Sequence, residues 1–257
     1  MNLRNTEMSV LSDQIGAFQN MIFLNLMKNT IAELPDALYQ CRSLRELNAR
    51  QNQINRLSED VRLLQQLVVI DLSRNALSEL PRSLALLPQL EVAIFSENKL
   101  AALPPETGKI RSLKHMNLND NQLTELNFSF ARSANLCYLH VANNRLQSVN
   151  GLTKAEQLIE LNLHGNQLRR LPRDLSRLRK LKGLILSGNR LESLPESLCK
   201  LEQLESLTIS FNPLTRAPKN LRKLKNLKTF IAVGVPFSEV EKKRIREALP
   251  PDCDVRF

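Results

Sequence analysis

The sequence predicts an α/β solenoid in which about ten short parallel strands line one face and short helical segments return on the other. Apolar residues recur as L-x-x-L-x-L-x-x-N-x-L-x-x-L-P-x-x-L-x-x-L, as in residues 181–201, and this pattern returns every 23 residues. An Asn stands at the ninth position of every complete copy, and a Leu-Pro pair follows in most copies. A fixed period of this length is typical of proteins built from stacked repeats.

The register of the repeats follows from their first apolar residue, which is position 1. Successive copies begin 23 residues apart, except for one step of 22 residues between Leu136 and Leu158. Residues 1–20 form a partial first repeat, residues 21–237 the repeats and residues 238–257 a terminal helix and strand, so that 1–257 is predicted to be one domain. Position 1 falls at Met21, Leu44, Leu67, Leu90, Leu113, Leu136, Leu158, Leu181, Leu204 and Leu227.

This pattern resembles the 23-residue, Leu-Pro-containing leucine-rich repeats of Ras-suppressor and plant Ras-group proteins, and it is similar to many bacterial leucine-rich repeat proteins. The resemblance covers the whole chain. It implies a right-handed horseshoe with a concave parallel sheet and convex short helices, and it implies protein recognition by the outward side chains of that sheet. Some bacterial relatives join such repeats to a ubiquitin-ligase or kinase domain, but here the repeats account for the chain and that activity does not carry over.

Within each repeat, positions 4 and 6 are predicted to point inward and positions 3, 5 and 7 outward, because side chains alternate along a strand. The Asn at position 9 is predicted to be structural, since a buried amide must satisfy its donors and acceptor with nearby backbone groups. This Asn ladder comprises Asn29, Asn52, Asn75, Asn98, Asn121, Asn144, Asn166, Asn189 and Asn212.

The return segments contain the prolines, which suit the first turn of a short helix because no backbone N–H is needed there. Three repeats depart from the pattern. Leu57 is followed by Ser58, Leu126 leads into the sequence NFSF at 127–130, and Val149 leads into Asn150. These departures predict a flatter return segment over residues 126–157, with ordinary drift between repeats as the alternative.

The last twenty residues differ from the repeats. Ser238 and Glu241 form a capping box that predicts a helix through about Ala248. Pro250 and Pro251 end this helix, and alternating apolar residues from 253 to 257 predict a last strand. Four basic residues of the helix are predicted to face solvent: Lys242, Lys243, Arg244 and Arg246.

The compartment follows from cysteine usage and from the N-terminus. The four cysteines are far apart in sequence and match no disulfide or metal spacing, which predicts reduced thiols and a cytoplasmic protein. Residues 1–20 show no basic segment followed by an apolar run, and no stretch of 18 apolar residues predicts a membrane span. A bacterial effector secreted without a leader would show the same features and stays an alternative.

The outward positions divide into an apolar and a polar zone. Contiguous exposed apolar side chains mark an interaction site, although β-branched residues also simply favour strands. The exposed first strand is a second contact surface, through which two copies could pair if the protein is not a monomer. The apolar zone comprises Ile22, Phe23, Met27, Val68, Val69, Val92 and Ile94.

The polar zone is the candidate site for a protein partner, because all three histidines fall on outward positions of consecutive repeats. Tyr, His, Asn and acidic side chains together suit recognition of a peptide or protein edge, with Tyr138 as an anchor. With Ile94 at its border, this candidate site comprises His115, Asn117, Asn119, Asp120, Tyr138, His140, Asn143, Glu160, Asn162 and His164.

The same residues argue against a metal, a cofactor and catalysis. Neighbouring histidines would be roughly 7–8 Å apart along the diagonal of the sheet, and His115 and His164 about twice as far. That is too far for bonds of about 2 Å to one ion. No phosphate-binding glycine loop, G-x-S-x-G or H-E-x-x-H occurs, and Cys137 and His140 point differently along one strand. The sequence therefore predicts a non-enzymatic protein without cofactors.

The formal charge of +10 predicts basic surfaces away from the sheet. Outward strand positions are near neutral, and the basic residues cluster in two return segments. A basic surface binds nucleic acid or anionic membrane, so electrostatic binding is the alternative function; base-stacking aromatic residues are missing from it. The clusters comprise Arg169, Arg170, Arg173, Arg177, Arg179 and Lys180, and Arg216, Lys219, Arg222, Lys223 and Lys225.

Overall fold

The computed structural model describes residues 1–126 and 129–257, apart from the side chain of Ala131. The chain divides into two compact units, the first comprising residues 1–123 and 131–136 and the second residues 124–130 and 137–257. The prediction of one domain over 1–257 stays a prediction. Asn127 and Phe128, part of the predicted flatter segment, lie outside the described residues.

Short parallel strands follow one another in chain order within each unit, as the repeat pattern predicts. Residues at the same repeat position pair across neighbouring strands, such as Leu24 with Leu47 and Leu161 with Leu184. In the first unit the strands are β1 Phe23–Asn25, β2 Glu46–Asn48, β3 Val69–Asp71, β4 Val92–Ile94 and β5 His115–Asn117. In the second they are β6 Tyr138–His140, β7 Glu160–Asn162, β8 Gly183–Ile185, β9 Ser206–Thr208, β10 Thr229–Ile231 and β11 Asp254–Arg256.

The core of each unit is a stack of leucines and related residues. Each strand from β1 to β10 buries its middle residue and leaves the two flanking side chains accessible, which confirms the predicted alternation at positions 3 to 5. Position 7 is buried in three repeats, at Ser73, Ala142 and Ser210. Position 1 of every repeat is also buried. A fully buried Leu contributes roughly 1.5–3 kcal/mol, largely offset by chain entropy, so neighbouring repeats must stack to be stable.

The return segments contain short 3-10 helices, but the prolines of the Leu-Pro pairs do not occupy their first turn. Pro35, Pro81, Pro104 and Pro195 stand one residue earlier, at the N-cap. Where Ser58 replaces proline, its side chain caps the helix instead by accepting a hydrogen bond from Asp60 N at 3.2 Å. The described 3-10 helices are Asp13–Ala17, Asp36–Gln40, Glu59–Leu63, Arg82–Leu86, Pro105–Lys109, Phe130–Arg132, Asn150–Lys154, Glu196–Lys200 and Leu221–Lys223.

The Asn side chains at position 9 bond backbone groups of their own and the preceding repeat. In the first unit, Asn98 Nδ2 donates to Leu72 O at 2.9 Å and Phe95 O at 3.0 Å, and its Oδ1 accepts from Leu77 N at 3.0 Å. In the second unit, Asn212 bonds three equivalent groups at 2.9–3.0 Å. Each such amide therefore satisfies backbone groups that the turn leaves without strand partners.

The second unit ends in a helix and a strand at the predicted places. Helix α1 spans Glu239–Ala248 and is capped by the Ser238 side chain, which accepts from Glu241 N at 3.2 Å. Strand β11 then pairs in parallel with β10. The ring of Phe257 packs edge-to-face on Phe230 and Phe237, with centroid distances of 6.4 and 6.3 Å.

The prediction that the basic residues of α1 face solvent is wrong for Lys242 and Arg244, whose side chains are only 25% and 36% exposed. Arg246 lies 4.7 Å and Lys242 5.9 Å from the centre of the Phe257 ring, and cations favour that position over an aromatic face. Arg244 pairs with Glu241 at 2.7 Å and donates to Ala217 O at 3.0 Å. Lys243 and Arg246 are exposed.

Replacing Glu241 by alanine is expected to lower the free energy of unfolding by about 1–3 kcal/mol, because partly buried Arg244 and the Ala217 N–H lose their acceptor. The hydrogen bond from Arg244 holds the pKa of Glu241 below its ordinary value. The stability that Glu241 contributes should therefore be fully present above the pKa that this carboxyl has in the unfolded chain. It should disappear as the pH falls through the lower pKa that Glu241 has in the folded chain. Urea unfolding at several pH values measures both effects.

The matched control is Glu247→Ala on the same helix. Glu247 is exposed, and its contact with Lys243 is long at 3.9 Å. Its replacement should therefore change the free energy of unfolding by less than about 0.5 kcal/mol. Equal effects of the two substitutions would contradict the role assigned to Glu241.

Candidate functional site

The residues of the predicted protein-binding site are divided between the two units. Ile94, His115, Asn117, Asn119 and Asp120 belong to the first unit. The second unit contains Tyr138, His140, Asn143, Glu160, Asn162 and His164.

In the first unit, polar residues of β5 lie beside apolar residues of β4. Val92 pairs in register with His115, and Ile94 with Asn117. The Asn117 side chain is used locally, because its Oδ1 accepts from Asn119 N at 3.0 Å. His115 and Asp120 are exposed. The apolar zone continues over β1 and β3, where Ile22 is the most exposed member and the others are partly buried.

In the second unit, four of the predicted residues form two cross-strand pairs. Tyr138 lies in register with Glu160, and His140 with Asn162. The Glu160 carboxylate is also close to His140, with 3.1 Å between Oε1 and Nε2, although the angle is not that of a hydrogen bond and Nε2 is shielded from solvent. Asn162 Oδ1 accepts from His164 N at 3.0 Å, which fixes the chain at the end of β7. We call Tyr138, His140, Asn143, Glu160, Asn162 and His164 the polar cluster.

Three glycines that sequence reasoning missed make room for the polar cluster. A Cβ on Gly183 would lie 3.3 Å from Glu160 Cγ, and a Cβ on Gly188 would lie 3.4 Å from His164 Cε1. A Cβ on Gly165 would overlap the Asn143 side-chain oxygen. The signal was present in the sequence, since three of the seven glycines fall at position 3 or 8 of two consecutive repeats. Bare backbone therefore lets these polar side chains lie flat on the sheet.

The basic clusters lie in the second unit, and this unit carries nearly all of the net charge. It contains 22 basic and 13 acidic residues, a formal charge of +9, whereas the first unit contains 14 and 13, a charge of +1. Arg177 pairs with Glu156 at 3.2 Å, and Lys180 Nζ donates to Gln157 Oε1 at 2.5 Å. The other members of the two clusters are exposed and form no ion pair with a described residue.

The described residues contain neither a metal-binding group nor a membrane-spanning helix. Over 1–126 and 129–257, no three His, Cys, Asp or Glu side chains are grouped so that they could hold a metal ion. Among the described helices, none has the length and apolar character needed to cross a membrane. The buried thiols are poor nucleophiles, since burial raises the pKa of Cys199 to about 11 and that of Cys41 above its ordinary value.

Short parallel strands, a bonded Asn after each strand from β1 to β9 and 3-10 return segments define a leucine-rich repeat fold. The family model described as "Leucine rich repeat" matches residues 135–191 and 156–214. The narrower assignment to the 23-residue Leu-Pro class stays a prediction. No curated protein sequence matches the chain significantly.

Solved leucine-rich repeat structures resemble the chain over most of its length. The Leptospira interrogans protein LIC12759 is 29% identical with a TM-score of 0.89, over 98% of this chain and 70% of that one. YopM from Yersinia enterocolitica is 28% identical with a TM-score of 0.70, over 93% and 47%. InlJ from Listeria monocytogenes, at 19% identity and a TM-score of 0.79 over 100% and 62%, shares the fold alone.

Proposed function

We propose that this protein is a non-enzymatic scaffold that binds a protein or peptide through outward side chains of its strands. The leucine-rich repeat fold points to protein interaction in general. The polar cluster of the second unit is the observation that supports a specific surface, since the backbone is bared at three glycines beneath Asn143, Glu160 and His164. Outward residues of β4 and β5 extend the proposal to the first unit.

The polar cluster suits a partner edge that offers both donors and acceptors. Glu160 supplies a carboxylate, His140 and His164 supply imidazoles, and Tyr138 supplies an amphipathic ring. Aromatic anchors surrounded by fixed polar groups are typical of residues that dominate binding energy. Side chains packed on a rigid sheet also lose little conformational freedom on binding, which favours affinity.

The proposal includes a reducing compartment such as the cytoplasm. Cys41 and Cys199 are buried in the cores of the two units, and Cys41 Sγ donates to Ile15 O at 3.2 Å. Buried thiols of this kind behave as small apolar residues, which suits an environment that keeps them reduced.

Combined replacement of Tyr138 and His140 by alanine is expected to weaken partner binding by at least about tenfold. Loss of one moderately important anchor residue costs about 1.4 kcal/mol of binding free energy, which corresponds to a tenfold change in affinity. Affinity capture from a lysate of the source organism, at low and high salt, identifies the partner by mass spectrometry. Isothermal titration with the purified partner then measures the affinity of the variant.

The matched control is the double substitution Arg169→Ala and Arg170→Ala, which removes exposed residues of a basic cluster. This control should retain the partner at high salt. Equal retention by the Tyr138/His140 variant would contradict the polar cluster as the site. Capture of nucleic acid or lipid that high salt releases, and that the arginine variant fails to bind, would instead support the electrostatic alternative.

A further inference from the structure

The eighth position of each repeat adopts a left-handed backbone conformation, and one repeat places a phenylalanine there. In the second unit this position holds Asn143, Gly165, Gly188, Phe211 and Gly234, with φ between 53° and 69°. Glycine and asparagine tolerate this conformation readily, whereas a bulky side chain seldom adopts it. The repeat fold itself requires this conformation at position 8. What needs an explanation is that a phenylalanine occupies the position in one repeat.

Phe211 is exposed, although aromatic rings usually contribute to a core. Its exposed fraction is 64%, whereas Phe230 in the neighbouring strand is fully buried. The Phe211 ring lies over the backbone of Gly234, where a Cβ would come within 2.8 Å of Cδ1 and 2.9 Å of Cε1. One part of the ring is therefore supported by bare backbone while the remainder faces solvent.

A second exposed apolar residue lies beside Phe211. Phe211 N donates to Val233 O at 2.9 Å, and the Val233 side chain is 39% exposed. The two side chains thus stand at the ends of β9 and β10, on adjoining repeats. Contiguous exposed apolar side chains on a soluble domain usually mark a contact surface.

The unit that contains this apolar pair is strongly basic, with a formal charge of +9. Residues 206–238 contain six Lys or Arg, of which Lys228 pairs with Glu205 at 2.6 Å and the other five lie in the return segment after β9. A field of one sign attracts partners of the opposite sign and repels others. A partner that covers Phe211 should therefore carry acidic residues around an apolar one.

We propose that Phe211 and Val233 form a docking surface for an acidic protein segment that presents an aromatic or aliphatic side chain. The inference rests on the proposed role in protein binding, but it uses residues outside the polar cluster and is tested apart from it. The partner's apolar side chain would cover the accessible part of the Phe211 ring, and its negative charge would be attracted by the net positive charge of the unit.

If the Phe211 ring had a purely structural role, its removal would lower the melting temperature, and we do not expect this. Glycine occupies the equivalent position in three other repeats of the second unit, so the fold does not need a side chain there. Phe211→Gly should therefore leave the melting temperature unchanged or raise it. Phe211→Asn, which also suits the left-handed conformation, provides a second variant if the glycine variant folds poorly.

The test uses a phage-displayed library of random short peptides, selected on the full wild-type chain. The enriched peptides are expected to combine acidic residues with at least one aromatic or large aliphatic residue. A resynthesised, labelled peptide should bind Phe211→Gly and Phe211→Asn at least about tenfold more weakly in fluorescence anisotropy. Replacing its apolar residue by serine should weaken binding to the wild type similarly.

Three controls separate the possible outcomes. Val240→Ala removes another exposed apolar residue of the same unit and should bind like the wild type. The Tyr138/His140 alanine variant should also bind normally, so that failure of the polar cluster and failure of this surface remain distinguishable. Phosphatidylserine-containing vesicles should show no binding that depends on Phe211.

Several results would overturn the proposal. These are a selection that enriches no binder, enriched peptides that bind both Phe211 variants like the wild type, and binders that are basic. A drop in melting temperature on Phe211→Gly as large as that caused by a buried residue would assign the ring a structural role. Phe211-dependent binding to vesicles would make the surface a membrane contact instead.

Discussion

Replacement of Asn212 by alanine is expected to lower the free energy of unfolding by about 3–5 kcal/mol. Asn212 is only 2% exposed, and its amide bonds Leu186 O, Ile209 O and Leu191 N. Alanine would leave Ile209 O and Leu191 N buried without these partners, whereas Leu186 O keeps its hydrogen bond from Asn189 Nδ2 at 2.9 Å. An unmet buried group costs more than the net value of a hydrogen bond. Urea unfolding followed by circular dichroism measures the change.

Two further substitutions show whether hydrogen bonding explains the effect of Asn212. Asn212→Asp keeps the shape but removes both N–H donors, so it should destabilise the protein at least as strongly as alanine. Asn55→Ala replaces an exposed asparagine in the first unit and should change stability by less than about 0.5 kcal/mol. A loss at Asn212 no larger than that at Asn55 would contradict the role of the Asn ladder.

Replacement of Phe230 by alanine is expected to lower the free energy of unfolding by about 3–5 kcal/mol, since a fully buried ring leaves a cavity. The substitution also removes the edge-to-face contact with Phe257, whose centroid lies 6.4 Å away. Strand β11 and helix α1 should therefore loosen together, and amide hydrogen exchange should accelerate in both.

Phe211→Ala provides the comparison for Phe230→Ala, because the two aromatic residues lie in adjoining repeats of the same unit. Phe211 is 64% exposed, so its removal should cost little stability. Equal losses for the two variants would show that the Phe211 ring belongs to the core and would contradict the account of both residues.

The repeat register could be predicted from sequence because one simple pattern fixes it. A strand that alternates inward and outward side chains, followed by an Asn, places residues such as Leu161 and Leu184 in register without any knowledge of tertiary contacts. The capping box at Ser238 likewise predicted α1 from local chemistry. These features depend on residues close in sequence or on an exact period.

Contacts between side chains on different elements could not be predicted in this way. The placement of Arg246 over Phe257 depends on where α1 packs against β11, which no periodicity specifies. The prolines were predicted one residue too far into their helices, because an extended N-cap and a first helical turn both tolerate a missing N–H. Such positions are decided by packing.

The candidate site was predictable only in part. The histidines and Tyr138 were found because they occupy outward positions. Gly183 and Gly165 were missed because a residue without a side chain contributes to a site only through the space it leaves for Glu160 and Asn143. Phe211 was missed because it lies in the turn after a strand, at position 8. The alternation of inward and outward side chains along a strand does not predict which residues of such a turn are exposed.

Photo-crosslinking in the source organism tests the central claim, that outward strand residues bind a protein, most directly. A photoreactive phenylalanine analogue at position 138 should form crosslinks to a defined protein, whereas the same analogue at exposed Arg169 should not. High salt should leave the crosslinks from position 138 intact. Crosslinks from position 169 alone, or crosslinks to nucleic acid or lipid instead of protein, would contradict the account.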